Sequence, residues 1–257
     1  MIRKRLIPRI LIQELNNGFV AILSKSFMPA SIAGDPISQF KIMEANMADE
    51  ISIINKQIGP ANLNSNFLHL LKDIVQASTT PICAGGGIKT VKDVNSFMKI
   101  GIEKIVIPVS EKFENLEIIR YACNKFGRQS VQVSLDYKEF NNQYLMYKSY
   151  TKLEIIDLIN IVGKYIDAGA GEVVLTDVLR DGSKNGLNLK LIKSFKDSMT
   201  IPIVVSGGAN NQSNFAEALL LGADGVISGT YFAKKDHSLM QLRSSIVATG
   251  LSVRRLG

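Results

Sequence analysis

Short apolar runs, each closed by small residues and followed by an amphipathic stretch, recur along the chain, and the sharpest is Ile201 to Ala209, IPIVVSGGA. The apolar and small residues after Pro202 read as a strand buried on both faces, and Ser206, Gly207 and Gly208 then let backbone approach a bound group closely. The same reading predicts strands at Arg5 to Leu11, Glu50 to Ile54, Pro81 to Ala84, Lys104 to Ile107, Val131 to Leu135, Glu172 to Thr176, Pro202 to Ser206 and Gly225 to Ser228. Helical periodicity falls near 36–47, 63–77, 90–100, 114–126, 152–168, 189–199, 212–221 and 239–249. Eight strands alternating with eight helices predict an α/β fold, a single (β/α)8 TIM barrel over residues 1–257. An open doubly wound sheet is the alternative.

An internal repeat favours closure. At a constant offset of 121, Pro81 answers to Pro202, Gly86 and Gly87 to Gly207 and Gly208, Gly101 to Gly222, and Val106 to Ile227. A weaker echo pairs the segment from Ala48 to Ile54 with that from Ala170 to Thr176. Each copy runs strand, glycine turn, helix, glycine turn and strand, so the chain consists of two similar halves.

Composition narrows the class. With 46% hydrophobic and 21% charged residues in 257, the chain can bury a sizeable core as one large domain. The apolar runs are strand-sized and the opening Met1-Ile-Arg-Lys-Arg5 has no signal-peptide core, which predicts a soluble cytoplasmic protein with no membrane partner. Cys83 and Cys123 read as reduced packing residues. His69 and His237, with no CxxC or HxxxH pattern, argue against a zinc site, and no motif asks for a metal or a cofactor. The net charge of +7 is dispersed apart from Arg254-Arg255, which speaks against nucleic acid and suits a phosphorylated small molecule or an acidic partner surface.

In such a barrel, chemistry belongs to the loops after the strands. Ser206-Gly207-Gly208 and Ser228-Gly229-Thr230 follow the last two predicted strands, where backbone N–H groups can cradle a phosphate, and Gly86-Gly87 offers a second cradle across the barrel. Two opposed cradles suit a ligand with a phosphate at each end, although glycine turns also serve merely to reverse the chain. The rim carboxylates are Asp136 after the fifth strand, and Asp177 and Asp181 after the sixth; Asp181-Gly182 is also a plain turn signal. If Gln132 and Ser134 face inward, period two aims Asp136 into the mouth. Opposite it, the first strand ends in Leu11, which has no proton to exchange.

The segments Lys4-Arg-Leu-Ile-Pro8, Ala33-Gly-Asp-Pro36, Pro81 to Gly87, Gly101 to Lys104, Gly169 to Glu172, Leu175 to Gly186, Ile201 to Gly208 and Gly222-Ala-Asp224 together resemble the cyclase subunit of imidazole glycerol phosphate synthase. The similarity spans nearly the whole chain. It implies a half-barrel-duplicated TIM barrel of histidine biosynthesis that takes ammonia from a class I glutaminase docked on its N-terminal face and passes it through the barrel to a doubly phosphorylated ribonucleotide.

Residue by residue, the resemblance divides. Of the family's acid/base pair, Asp136 is kept and Leu11 stands at the other position. The family's loop lysine falls at Ile22 or Leu23, its second-strand aspartate at Asn55, and two hydrogen-bonding residues of its first phosphate site at Val106 and Pro108. The loop after the fifth strand is shortened around Tyr147 to Lys152. Losing one acid/base group costs about 10²- to 10⁴-fold, which argues against efficient cyclase activity. By contrast, the family's ring of charges gating ammonia at the barrel foot is matched by Arg5, Glu50, Lys104 and Glu172. Read without the family, these four are a structural salt-bridge ring or scattered pairs. Ser206 matches an interior serine of the family's channel, and Cys83 replaces a threonine. Arg9 falls where the family carries a small residue; period two sends it inward, to obstruct the bore or to fold up toward Asp136 or an anion.

The pattern resembles paralogues in bacterial surface-polysaccharide synthesis, where a glutaminase and a cyclase-like barrel supply nitrogen to a sugar amidotransferase building acetamidino groups. The alternatives are a divergent histidine-pathway cyclase, with Glu14, Asp177 or Asp181 as the replacement acid, and a non-catalytic phosphate-binding scaffold.

Overall fold

A computed structural model of the chain describes residues 3–16, 18–56, 65–147, 151–233 and 239–253. The predicted His237 and the Arg254-Arg255 pair lie outside them. Along the chain run β1 (Arg5–Leu15), β2 (Gly18–Lys25), β3 (Met28–Gly34), α1 (Pro36–Ala45), β4 (Ile51–Asn55), α2 (Ser65–Gln76), β5 (Ile82–Gly85), α3 (Val91–Ile100), β6 (Lys104–Pro108) and α4 (Leu116–Phe126). They are followed by β7 (Val131–Phe140), β8 (Gln143–Met146), β9 (Lys152–Leu153), α5 (Ile155–Asp167), β10 (Glu172–Asp177), α6 (Leu189–Ser198), β11 (Ile203–Ser206), α7 (Gln212–Leu220), β12 (Gly225–Ser228) and α8 (Leu239–Ala248).

Eight strands, β1, β4, β5, β6, β7, β10, β11 and β12, pair in parallel in that order, and β12 returns to β1 with Arg5 beside Gly225, so the sheet closes. The barrel is therefore the predicted (β/α)8 fold, not the open sheet. Among the described residues no helix is long and apolar enough to cross a membrane.

Strand alternation sorts the core into two compartments. Facing outward, the strands meet the helices, nearly all of which contribute a large buried side chain: Phe40, Phe67, Phe97, Tyr165, Phe195 and Phe215 come from α1, α2, α3, α5, α6 and α7. Facing inward, Ile7, Val174, Val204 and Ile227 form a separate, fully buried apolar cluster. Arg5, Ile7 and Arg9 on β1 share that inward face, as do Glu172, Val174 and Thr176 on β10.

At the foot, two buried aspartates tie strand starts to neighbouring elements. Asp49 accepts the Leu6 N–H at 2.8 Å and pairs with Arg243 of α8 at 2.9 Å. Asp224 accepts the Ile203 N–H at 3.0 Å and pairs with Lys4 and Lys196.

The structure corrects the predicted boundaries at the mouth. β1 does not stop at Leu11 but continues to Leu15, because its upper half pairs antiparallel with β2, Leu11 beside Ile22 and Glu14 beside Phe19. β2 and β3 make a hairpin whose tip, Ser26-Phe27, takes left-handed backbone. β7 likewise continues to Phe140 and turns at Asn141-Asn142, both at positive φ, into β8, the asparagine chemistry that a tight hairpin favours. Lys152–Leu153 is a short strand, so the fifth helix begins at Ile155.

Candidate functional site

The two ends of the barrel carry different chemistry. Arg5 pairs with Glu50 at 2.8 Å and with Glu172; Lys104 pairs with Glu50 at 2.8 Å and with Glu172 at 3.2 Å. The four side chains thus form one closed cycle of alternating sign, drawn from the starts of β1, β6 and β10 and from the residue just before β4. Gln132 adds its amide to Glu172, and the Cys83 thiol donates to Glu50 at 2.8 Å. Gln132 and Cys83 were not singled out as ring members by sequence, although both lie on the inward face of their strands. Burial works against each charge, yet the partners prevail. It disfavours the Arg5 cation, but Glu172 and Glu50 together raise its pKa above the ordinary value. It disfavours the Glu50 carboxylate, but Arg5 and Lys104 hold its pKa below the ordinary value.

At the mouth, the β2–β3 hairpin leans over the barrel and docks on the loop after β10. Ser24 donates its hydroxyl to Asp181 at 2.5 Å, the Ser26 N–H meets the Asp181 carbonyl at 2.9 Å, and Phe27 stacks edge-on against Tyr147 at 5.0 Å. Beneath the hairpin is a cavity lined by Arg9, Leu11, Ile22, Leu23, Asp181 and Lys184 on one side and by Ser206 to Ala209 and Ser228 to Thr230 on the other. Of the predicted site residues, the structure therefore brings together Ser206, Gly207, Gly208, Ser228, Gly229, Thr230 and Asp181. Gly86 and Gly87 are outside that cavity.

The glycines differ in why they are glycine. A Cβ at Gly86 would sit 2.4 Å from the Asn55 carbonyl, and one at Gly207 or Gly208 would sit 2.4 Å or 2.2 Å from the carbonyls of Asp177 and Gly186, so close backbone packing already requires all three. Gly229 has no positive φ, and a Cβ there would meet nothing nearer than the Arg9 carbonyl at 3.4 Å.

The carboxylates separate as well. Asp136 shares the inward face with Gln132 and accepts from Ser134 at 2.9 Å, but it does not line the cavity. Asp177 falls on the opposite face of β10 from Thr176, where its carboxylate accepts the N–H groups of Leu179 and Arg180 at 3.1 Å and pairs with Arg180 at 3.2 Å. Burial raises its pKa, and its hydrogen bonds commit it to holding the loop. Leu11 occupies the β1 position opposite Asp136, against Ile54 and Ile22. Arg9 also lines the cavity, and its Nε is buried with no hydrogen-bond partner for that atom.

A closed parallel barrel built from two sequence-similar halves, with paired glycine turns over its last two strands and charged strand starts, defines the half-barrel-duplicated class of TIM barrels. The chain belongs to the histidine biosynthesis protein family, whose model matches residues 5–238. It is 32% identical over 260 residues to the imidazole glycerol phosphate synthase subunit HisF of Leptospira biflexa, covering 98% of each chain. It is 29% identical over 256 residues to the subunit of the same name from Saccharolobus solfataricus, covering 99% of this chain and all of that one. A Campylobacter jejuni protein, provisionally named imidazole glycerol phosphate synthase subunit hisF2, is 29% identical over 256 residues, the full length of both.

Two outcomes follow from this geometry. Glu50→Gln, which leaves two cations sharing one carboxylate, is expected to cost on the order of 3 kcal/mol in urea unfolding. Because the folded pKa of Glu50 is depressed, its stabilisation is present above the ordinary glutamate value of 4.5 and is lost as pH falls through the folded value, so the variant should lose less stability than the parent on acidification. Gly207→Ala is expected to destabilise by about 2 kcal/mol or more, whereas Gly229→Ala should leave the melting temperature nearly unchanged.

Proposed function

We propose that this chain, one barrel domain spanning 1–257, is the barrel subunit of a cytoplasmic glutaminase-coupled pair, admitting ammonia at its charged foot for a nitrogen transfer at its mouth. The observation that carries the reading is the contrast between the ends. The foot keeps a complete alternating cycle, Arg5, Glu50, Lys104 and Glu172, while the mouth pairs Asp136 with Leu11 instead of a second carboxylate. Above the ring, the inward positions Ser52, Cys83 and Ser206 are small and polar and give a neutral nucleophile such as ammonia groups to pass. A foot that admits ammonia needs a glutaminase seated over it.

The relatives are named as subunits of imidazole glycerol phosphate synthase, and this chain's mouth departs from a two-carboxylate reaction chamber. Of the candidate replacement acids, Asp177 is committed to its loop and Glu14 is exposed near the end of β1, which leaves Asp181, itself held by Ser24. A single strand-end acid does not serve a cyclisation that moves two protons. The acceptor that fits this loss is a substrate activated elsewhere, such as the sugar of a surface-polysaccharide amidotransferase, for which the barrel supplies nitrogen and a phosphate-binding mouth.

The test is glutamine hydrolysis by a class I glutaminase with and without this chain. Activation on the order of tenfold is expected, and Lys104→Met should reduce it while the barrel stays folded. In parallel, ammonia-dependent turnover of the histidine-pathway phosphoribulosyl formimino substrate should run at least about 100-fold below an ordinary cyclase. A rate within about tenfold of that enzyme would return the chain to histidine biosynthesis, and no activation with an unaffected Lys104→Met variant would make it a scaffold.

A further inference from the structure

We infer that the outer face of β7, β8 and β9, with the tip of the β2–β3 hairpin beside it, is a docking surface for an acidic protein, the enzyme that takes up the ammonia. The identity of this occupant rests on the ammonia-delivering reading above; the surface itself does not. The strands pair with Lys138 beside Leu145 and Leu145 beside Lys152, and residues directly opposite one another share a face of the sheet. Phe140 and Tyr147, two residues on from Lys138 and Leu145, fall on that same face. Their contacts agree: Lys152 lies over the Phe140 ring at 6.0 Å and Lys138 over the Tyr147 ring at 5.3 Å. Tyr147 meets Phe27 of the hairpin tip, and Lys56 lies over the Phe27 ring at 4.4 Å, so the face continues onto the hairpin.

Strand alternation sends the acids of this segment elsewhere. Tyr137, Tyr144 and Met146 take the opposite face and are buried, and Glu139 goes with them, accepting from Asn188 at 3.1 Å. Glu154 and Asp157, which follow β9, cap α5. The outer face therefore presents lysines interleaved with apolar side chains: Phe140 is 52% exposed, and Met28 beside the hairpin tip is 65% exposed. Large apolar groups left in water among charges of one sign mark an interface with a partner of the other sign. A second copy does not supply that sign, because a two-fold contact would set the lysine row against itself in a chain carrying +7. Ammonia released at an open mouth would take a proton from water and lose its nucleophilic electron pair. An acceptor activated on another enzyme is therefore served only if that enzyme covers the mouth and excludes water from it.

The test combines the barrel, a class I glutaminase and a purified surface-polysaccharide sugar amidotransferase, and reads association by analytical ultracentrifugation alongside glutamine hydrolysis. The parent barrel should bind the amidotransferase, less tightly as salt is added. Phe140→Ser and Lys138→Glu should each weaken that binding by at least about tenfold, while melting near the parent and activating the glutaminase as it does. Ile42→Ser, at an exposed apolar position on α1, should bind like the parent. Amidotransferase binding with this sensitivity but no glutaminase activation would uphold the surface and sink the delivery reading. No binding by the parent, with or without glutaminase activation, would overturn the surface, as would binding that either folded variant leaves unchanged. Self-association of the barrel, or its binding to phosphatidylglycerol vesicles, would also overturn it if lost in the same two variants, since the face would then serve a second copy or a membrane.

Discussion

A single cycle of four charges sets the character of this barrel. Arg5, Glu50, Lys104 and Glu172 are nearly removed from water, and a charge in that position is tolerable only when its partners are close and its remaining hydrogen-bonding positions are filled. The cycle satisfies both conditions: each member faces two of opposite sign, and Gln132 and Cys83 take up further carboxylate oxygens. Four well-packed apolar side chains would serve stability at least as well, and the ring closes the place where the strand starts converge with fixed polar pairs instead. Directly above it the apolar quartet Ile7, Val174, Val204 and Ile227 occupies part of the bore, and Ser52 and Cys83 line other inward positions.

The mouth is organised by a different constraint, the closure of a hairpin. β2 and β3 continue the β1 strand past the barrel and rest on Asp181 and Gly182, where a side chain at position 182 would stand 2.1 Å from the Ser24 carbonyl. That contact turns an open rim into a covered cavity with an uncovered opposite side. It also divides the predicted phosphate cradles, enclosing the pair after β11 and β12 and leaving Gly86-Gly87 outside. Among the described residues, Leu11 lines the covered cavity together with Asp181, Arg9 and Lys184, whereas Asp136 stays outside it.

Much of this was legible in the residues. The 121-residue repeat and the strand-turn-helix alternation specify the barrel, because half-barrels with buried strand runs have few other ways to close. Period two from Arg5 placed Arg9 inward, whereas Asp177, read as a rim acid, is turned to hold the Leu179–Arg180 loop. The ring's members could be aligned, but their mutual pairing depends on strand stagger, which no single sequence displays. The two hairpins were the main omission. GFVAIL, beginning at Gly18, and QYLM, following Asn141-Asn142, are strand-like runs, yet a barrel count of eight left no role for them. Missing the first hairpin hid both the Ser24–Asp181 bond and the cavity, since those groups are 157 residues apart in the chain.

The central claim is that the charged foot is a partner-facing aperture and not merely a structural clasp. Hydrogen–deuterium exchange of the barrel with and without a class I glutaminase addresses it without knowledge of the acceptor. The account predicts slowed exchange confined to the segments that lead into the foot, around 46–50, 101–104, 169–172 and 222–225, with the hairpin at 18–34 unchanged. Protection at the hairpin and the cradle loops instead, or none at saturating glutaminase, would contradict it.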